Sequence, residues 1–174
     1  MEIVGYIASS ADGYIATQNG SVDFLSPYQH IDCGYAQFIQ GIDVVIMGRK
    51  TYEVICGFGG AWPYPDQLAY IVSSDPCLAI VHPSIQVWTQ GVVALAEQLK
   101  QRDDGRAWVV GGTQLQNAFI ELRLLDRLEI YEMPVCLGDG IRLFPALVQQ
   151  PYALKSMTAT LIEPNIIKKI YQFK

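Results

Sequence analysis

The sequence predicts an α/β fold: a mostly parallel central sheet flanked by helices and closed by an antiparallel C-terminal hairpin. Three observations carry that expectation. Short apolar runs, of the kind buried on both faces, recur at 3–9, 44–47, 68–72 and 108–110. Segments with helical apolar spacing fall between them, at 32–39, 92–102 and 115–125. The C-terminal part holds two β-rich runs, 152–162 and 166–173, joined by the turn residues Glu163, Pro164 and Asn165. Strands separated by helices pair in parallel, whereas runs joined by a tight turn pair antiparallel.

Taken in order, Ile3 to Ser9 reads as a buried strand, and Ala11 to Ala16 as the start of a long mobile loop marked by the turn at Asn19-Gly20. Asp32 lies near the start of a short helix that Gly41 ends. Val44 to Met47 is a strand covered on both faces, and Gly48 to Thr51 lead from it into a helix broken over Gly57 to Pro65. Leu68 to Val72 is the next strand, ending at Ser73-Ser74, and Ser84 to Trp88 gives another. Val92 to Arg102 is helical, Trp108 to Val110 is a buried strand, and Leu115 to Leu125 is a helix with one apolar face. Arg127 to Val135 alternates as a strand before the closing hairpin.

The 174 residues, 51% hydrophobic and 17% charged, fit a single domain spanning 1–174 with its own core. A net charge of −5 with twelve scattered Lys and Arg leaves no basic stripe for nucleic acid. No apolar run reaches the roughly 18 to 20 residues that span a bilayer, and no signal-peptide pattern opens the chain, so a soluble cytoplasmic protein is expected. Cys33, Cys56, Cys77 and Cys136 show no C-x-x-C spacing and read as free thiols in apolar stretches. His30 and His82 lack metal-ligand spacing, so no metal is expected. An apolar hairpin at the sheet edge makes a homodimer the expected assembly.

In a parallel sheet, ligands lie at the carboxyl ends of the strands, where the loops after Ser9, Met47, Val72 and Val110 gather. Gly111 and Gly112 stand between a buried strand and a helix. They are either a tight turn or a pyrophosphate cradle, since glycine lets the helix N-terminal N–H groups approach an anion. Arg49 and Lys50 sit where a helix dipole is already positive. They are a solvated pair, or they answer an anion such as the 2′-phosphate of NADP, with Ser73 or Ser74 adding hydroxyls. Gly57 to Trp62 fails as a dinucleotide fingerprint because Pro63 and Pro65 follow, and no Gly-Lys-Ser/Thr exists for a P-loop.

These segments resemble the dihydrofolate reductase-like superfamily: Met47 to Glu53, Ile71 to Ser74 and Val109 to Gly112 look like its cofactor-binding segments, and Gly138 to Phe144 fits its late loop. Ala11 to Ala16 resembles the branch that includes the C-terminal reductase domain of the riboflavin-biosynthesis deaminase/reductase. The resemblance covers essentially the whole chain and implies a three-layer α/β/α fold. It implies NADPH as hydride donor and reduction of a small pterin- or pyrimidine-like heterocycle, as in 5-amino-6-(5-phosphoribosylamino)uracil reductase. It further implies that the Ala8 backbone meets the nicotinamide amide and that Asp12, Gly13 and Ile15 belong to a loop closing over it. Gly48, Arg49, Lys50, Thr51, Ser73 and Ser74 would hold the adenosine phosphates. Gly111, Gly112, Thr113, Gln114 and Leu115 would hold the pyrophosphate, with a cis Gly111–Gly112 bond.

Asp32 lies fifteen residues before Met47, the spacing at which dihydrofolate reductases carry the carboxylate that assists protonation. A partly buried carboxyl there would protonate the substrate directly or through water; the other reading is a helix N-cap. Asp23, Tyr35 and Trp62 are candidate substrate contacts, and Tyr28, Tyr35, Trp62 and Tyr64 either line an aromatic pocket or pack in the core. No Arg or Lys occurs between Lys50 and Lys100 to clamp a folate tail or a ribose phosphate, and Gln114 stands where a second phosphate-binding Arg often occurs. A different class, a nucleotide- or flavin-binding dimeric module of the same fold without turnover, is also compatible with these residues.

Overall fold

The computed structural model describes residues 1–144, 153–162 and 165–173. Among them the alternation opens with β1 (Glu2–Ser10), then β2 (Tyr14–Ala16), α1 (Tyr35–Gln40), β3 (Val44–Gly48) and α2 (Arg49–Gly57). β4 (Leu68–Val72), β5 (Ile85–Trp88), α3 (Gly91–Lys100), β6 (Arg106–Gly111) and α4 (Thr113–Glu121) follow. β7 (Arg127–Met133), β8 (Ile141–Arg142), β9 (Ser156–Ile162) and β10 (Ile166–Gln172) complete it. The main sheet runs β5-β4-β3-β6-β1-β7-β10-β9. It is parallel from β5 to β7, and β10 pairs antiparallel with both β7 and β9.

β3 shows why the central strands carry unbroken apolar runs. Val44 and Ile46 face α3 and α4 with Leu95, Leu99, Phe119 and Ile120, while Val45 and Met47 face Phe38, Tyr52 and Trp108 on the opposite side. With a period of two, both faces must be apolar when helices cover both, and each fully buried side chain contributes about 1.5–3 kcal/mol. On β7 the buried carboxylate of Glu129 is met by Arg127 at 2.7 Å and by Lys168 of β10 at 2.6 Å, and it accepts from the Tyr131 hydroxyl at 3.3 Å.

The structure departs from the sequence expectations at six places. The segment after β1 is not a free loop: β2 pairs antiparallel with β8, and the Leu143 N–H donates to the Gly13 carbonyl at 2.9 Å. Asp23–Tyr28 forms a 3₁₀ helix too short to leave a periodic signal. α1 begins at Tyr35 because Gly34, at φ 77°, takes the cap position, so Asp32 is not its N-cap. α4 ends at Glu121: Arg123 turns left-handed at φ 56° and the Leu124 and Leu125 N–H groups both donate to the Phe119 carbonyl, tucking Leu125 into the core. Cys56, Cys77 and Cys136 are exposed rather than packed, and Cys33 is half-buried. β9 begins at Ser156; Tyr152 and the Glu163-Pro164 part of the expected turn lie outside the described residues.

Candidate functional site

Two strand-to-helix junctions meet at the carboxyl rim of the sheet. β3 passes through Gly48 into α2, and β6 passes through Gly111 and Gly112 into α4; neither helix has a side-chain cap on its first turn. In α4 the Leu115 N–H is taken by the Gly112 carbonyl at 3.0 Å, and the N–H groups ahead of it, at the positive end of the dipole, can meet an anion. Gly111 sits at φ 145°, where only glycine is comfortable, and the Gly111–Gly112 bond is cis, as the resemblance implies. The junctions touch: a Cβ on Gly48 would lie 3.8 Å from the Gly112 nitrogen, and one on Gly112 would lie 3.2 Å from Thr51 Oγ1.

These junctions line a cavity of about 960 Å³. Gly48, Arg49, Lys50, Thr51, Ser73, Ser74, Gly112, Thr113, Gln114 and Leu115 all border it, so two separated motifs and the serine pair share one site. The serines arrive because β4 pairs with β3 in parallel, Val72 opposite Gly48, and the chain turns one residue later. Gly111 is buried just behind this wall. Val72, Val92, Asn117, Ala118, Ile141 and Arg142 complete the lining; Val72, Ile141 and Arg142 lie in the segments Ile71 to Ser74 and Gly138 to Phe144 but were given no role there, and Val92, Asn117 and Ala118 were not among the candidate site residues. Arg142 had one local signal, the Gly138-Asp139-Gly140 turn that sets it on a strand; Asn117 had none.

Arg49 is not an unanswered cation. Its Nε lies 2.6 Å from Glu53, one helical turn on, and its Nη1 lies 3.8 Å from Asp75, and Glu53 above all raises its pKa. The conflict between Arg49 and the helix dipole is thus relieved within the chain, not only by an outside anion.

Asp12, Gly13 and Ile15 stand behind the lining rather than in it. The Asp12 carboxylate accepts from the Ser10 hydroxyl at 2.6 Å and from the N–H groups of Gly138 at 2.7 Å and Leu137 at 3.1 Å. Those bonds, the Ser10 hydroxyl foremost, lower its pKa to about 2. The Asp12 side chain thereby ties the loop after β1 to the loop before β8. Gly140, at φ 152°, is part of that seam, since a Cβ there would strike the Ala16 carbonyl at 2.2 Å.

Ala8 lies where β1 and β6 part. Their ladder ends at Gly5 opposite Val109, although β1 runs on to Ser10, while β7 pairs with β1 as far as Ser10. On the α1 side of that opening lies an aromatic group: Tyr6, Tyr35, Phe38, Tyr64 and Trp108, with ring centroids 4.5 to 6.2 Å apart, continued by Trp62 and Tyr52. Tyr35 is half-exposed while Trp62, Tyr64 and Trp108 are buried, and burial pushes the Tyr6 and Tyr64 hydroxyls up in pKa. Asp32 is exposed, not partly buried, and accepts from the Gly34 N–H at 2.7 Å. Asp23 is exposed at the start of the 3₁₀ helix. None of Asp23, Asp32, Tyr35 and Trp62 borders the glycine-lined cavity.

Among the described residues no group of three or more His, Cys, Asp or Glu side chains could hold a metal, and no helix is long and apolar enough to cross a membrane.

Sheet order, cis junction and rim cavity together define the dihydrofolate reductase type of α/β fold. The chain is similar to dihydrofolate reductase from Enterococcus faecalis complexed with NADP(H) and RAB-propyl, with a TM-score of 0.66 and 15% identity over 98% of this chain and 95% of that one. It is also similar to a Shewanella sp. PV-4 protein provisionally placed in riboflavin biosynthesis, with a TM-score of 0.81 and 22% identity over 99% of this chain and 98% of that one. In sequence it is 36% identical over 146 residues to the uncharacterized protein YwjB of Bacillus subtilis (strain 168), covering 83% of each. Residues 64–168 match the RibD C-terminal domain, and the chain belongs to that family.

Proposed function

We propose that the protein is an NADPH-dependent reductase of a small, flat pterin- or pyrimidine-like heterocycle. The observation that carries this reading is the convergence of Gly48–Thr51, Ser73-Ser74 and Gly112–Leu115 on one cavity. The residues present fit a dinucleotide: two uncapped helix N-termini, a glycine cradle that a Cβ would fill, and a volume within the range of ligand pockets. When bound, the reduced coenzyme supplies a hydride to the substrate. The chain contributes position and charge. The Gly112 junction and first turn of α4 hold the pyrophosphate, Arg49, Lys50, Thr51 and the serines hold the adenosine phosphates, and the Ala8 backbone orients the nicotinamide amide.

The aromatic group beside Ala8 receives the heterocycle, with Tyr35 and Trp62 as contacts and Asp23 at the loop edge. Asp32 delivers the proton, through water because its carboxylate is exposed. The protein works as a homodimer joined along β9, whose Met157 and Leu161 are 62% and 70% exposed at the sheet edge, in a reducing cytoplasm where its cysteines stay free.

Fluorescence titration with NADPH and NADH tests the coenzyme, and loss of NADPH absorbance with a panel of pteridines and pyrimidines tests turnover. Asp32→Asn should lower the turnover rate about a hundredfold, with NADPH affinity unchanged. The exposure of Asp32 favours a second reading, the nucleotide- or flavin-binding module without turnover. Tight NADPH or flavin binding with no oxidation across the panel would select it.

A further inference from the structure

The cations around the cavity are not equivalent. Arg49 is engaged by Glu53 and Asp75, whereas among the described residues no carboxylate lies within ion-pair reach of Lys50 or Arg142. Arg142 comes from β8, an element remote in sequence from both glycine junctions, and it still borders the same space as the first turn of α4. Its position is built rather than accidental. β8 is paired with β2, the guanidinium lies over the Tyr14 ring with its carbon 5.3 Å from the centroid, and Asp12 fastens the preceding loop. Asn117, one turn along α4, borders the cavity too, and its Oδ1 is buried with no hydrogen-bond donor. A buried acceptor left without a donor is costly, and native chains rarely keep one without a use.

We infer that Arg142 and Asn117 form a ribose-phosphate subsite on the β8 side of the cavity. Arg142 donates to a phosphate that also meets the N–H groups at the start of α4, and Asn117 Oδ1 accepts from a hydroxyl of the adjoining ribose. The inference rests on the coenzyme reading above and names the part of the coenzyme held here. The Ser73-Ser74 turn and Val92 bring the β4 and α3 elements to the lining, the side given to the 2′-phosphate, whereas Arg142 comes from β8 and is given to the pyrophosphate. Arg142 therefore sets affinity for both coenzymes and not the choice between them.

The test is calorimetric titration of NADPH and of NADH into the wild-type chain, Arg142→Ala, Arg142→Lys and Asn117→Ala, with thermal melts as a folding control. Arg142→Ala should weaken both coenzymes by the same factor, about 10- to 100-fold, lower the salt dependence of binding, and leave the melt unchanged because the side chain is exposed. Arg142→Lys should recover part of the loss, and Asn117→Ala should weaken both coenzymes about fivefold. Unchanged affinity in Arg142→Ala overturns the subsite while leaving the coenzyme reading in place. An altered NADPH-to-NADH ratio also overturns it, by moving Arg142 to the 2′-phosphate. Failure of the wild-type chain to bind either coenzyme removes both readings together.

Discussion

The glycine-lined rim and the aromatic group on the α1 side lie around the same end of the sheet but are built on opposite principles. The rim is made of backbone: uncapped helix starts, glycines without side chains, and a cavity of about 960 Å³ left open by them. The aromatic group is made of packed rings, with Trp62, Tyr64 and Trp108 all at least nine-tenths buried. Substitution at the rim should change what is bound, whereas substitution among the rings should change whether the chain is folded.

The largest effect is expected among the rings. Trp108→Ala removes a side chain touching Tyr6, Tyr35, Phe38 and Tyr64, and should destabilise the fold by about 3–5 kcal/mol in a denaturant melt. No hydrogen bond is lost, since the Trp108 Nε1 has no partner. A loss under 1 kcal/mol would show that this group is a loose pocket and blur the contrast. Gly112→Val should do the reverse. The extended backbone there accepts a side chain, but the added carbons press on Thr51 and fill the cradle, so NADPH should bind about a hundredfold more weakly with little change in the melt.

Arg49→Ala sharpens the comparison within the rim. With Glu53 and Asp75 already sharing its charge, its loss should reduce the preference for NADPH over NADH only about tenfold, read from paired titrations. An unchanged ratio would take the 2′-phosphate away from Arg49. The smallest effect concerns acid. Asp12 has a folded pKa of about 2 against an ordinary 3.8. Its contribution to stability is fully present above the higher value and is lost as pH falls through the lower one. Amide exchange at Leu137 and Gly138 should therefore quicken between about pH 4 and pH 2, and Asp12→Asn should show fast exchange already at neutral pH.

The same contrast explains what could be read before the structure. Gly48, Gly111 and Gly112 announce themselves because an open backbone needs glycine at a particular place in a strand-to-helix junction, which is local information. The alternation of apolar runs likewise gave the sheet, its parallel part and its closing hairpin. Arg142 stood in the late-loop segment Gly138 to Phe144 but without a role, because it joins the site through pairing of two short strands, and Asn117 was not legible, because only one turn of α4 brings it there. The tie that Asp12 makes was not legible either, since its hydrogen bonds reach residues more than a hundred positions away. Asp32 and Trp62 were chosen from spacing and residue type, and neither reports burial: one is exposed and the other is in the core.

The carboxylate of Glu129 has a consequence for how the chain ends. Its two cations come from the same face of neighbouring strands, Arg127 on β7 and Lys168 on β10. Sliding β10 by a single position would turn Lys168 to the other side and set Ile167 or Lys169 in its row; with Ile167 there, the buried carboxylate would keep Arg127 alone of its two cations. The native alignment is the one that gives the acid both cations, so the last strand acts as a latch whose catch was placed some forty residues earlier.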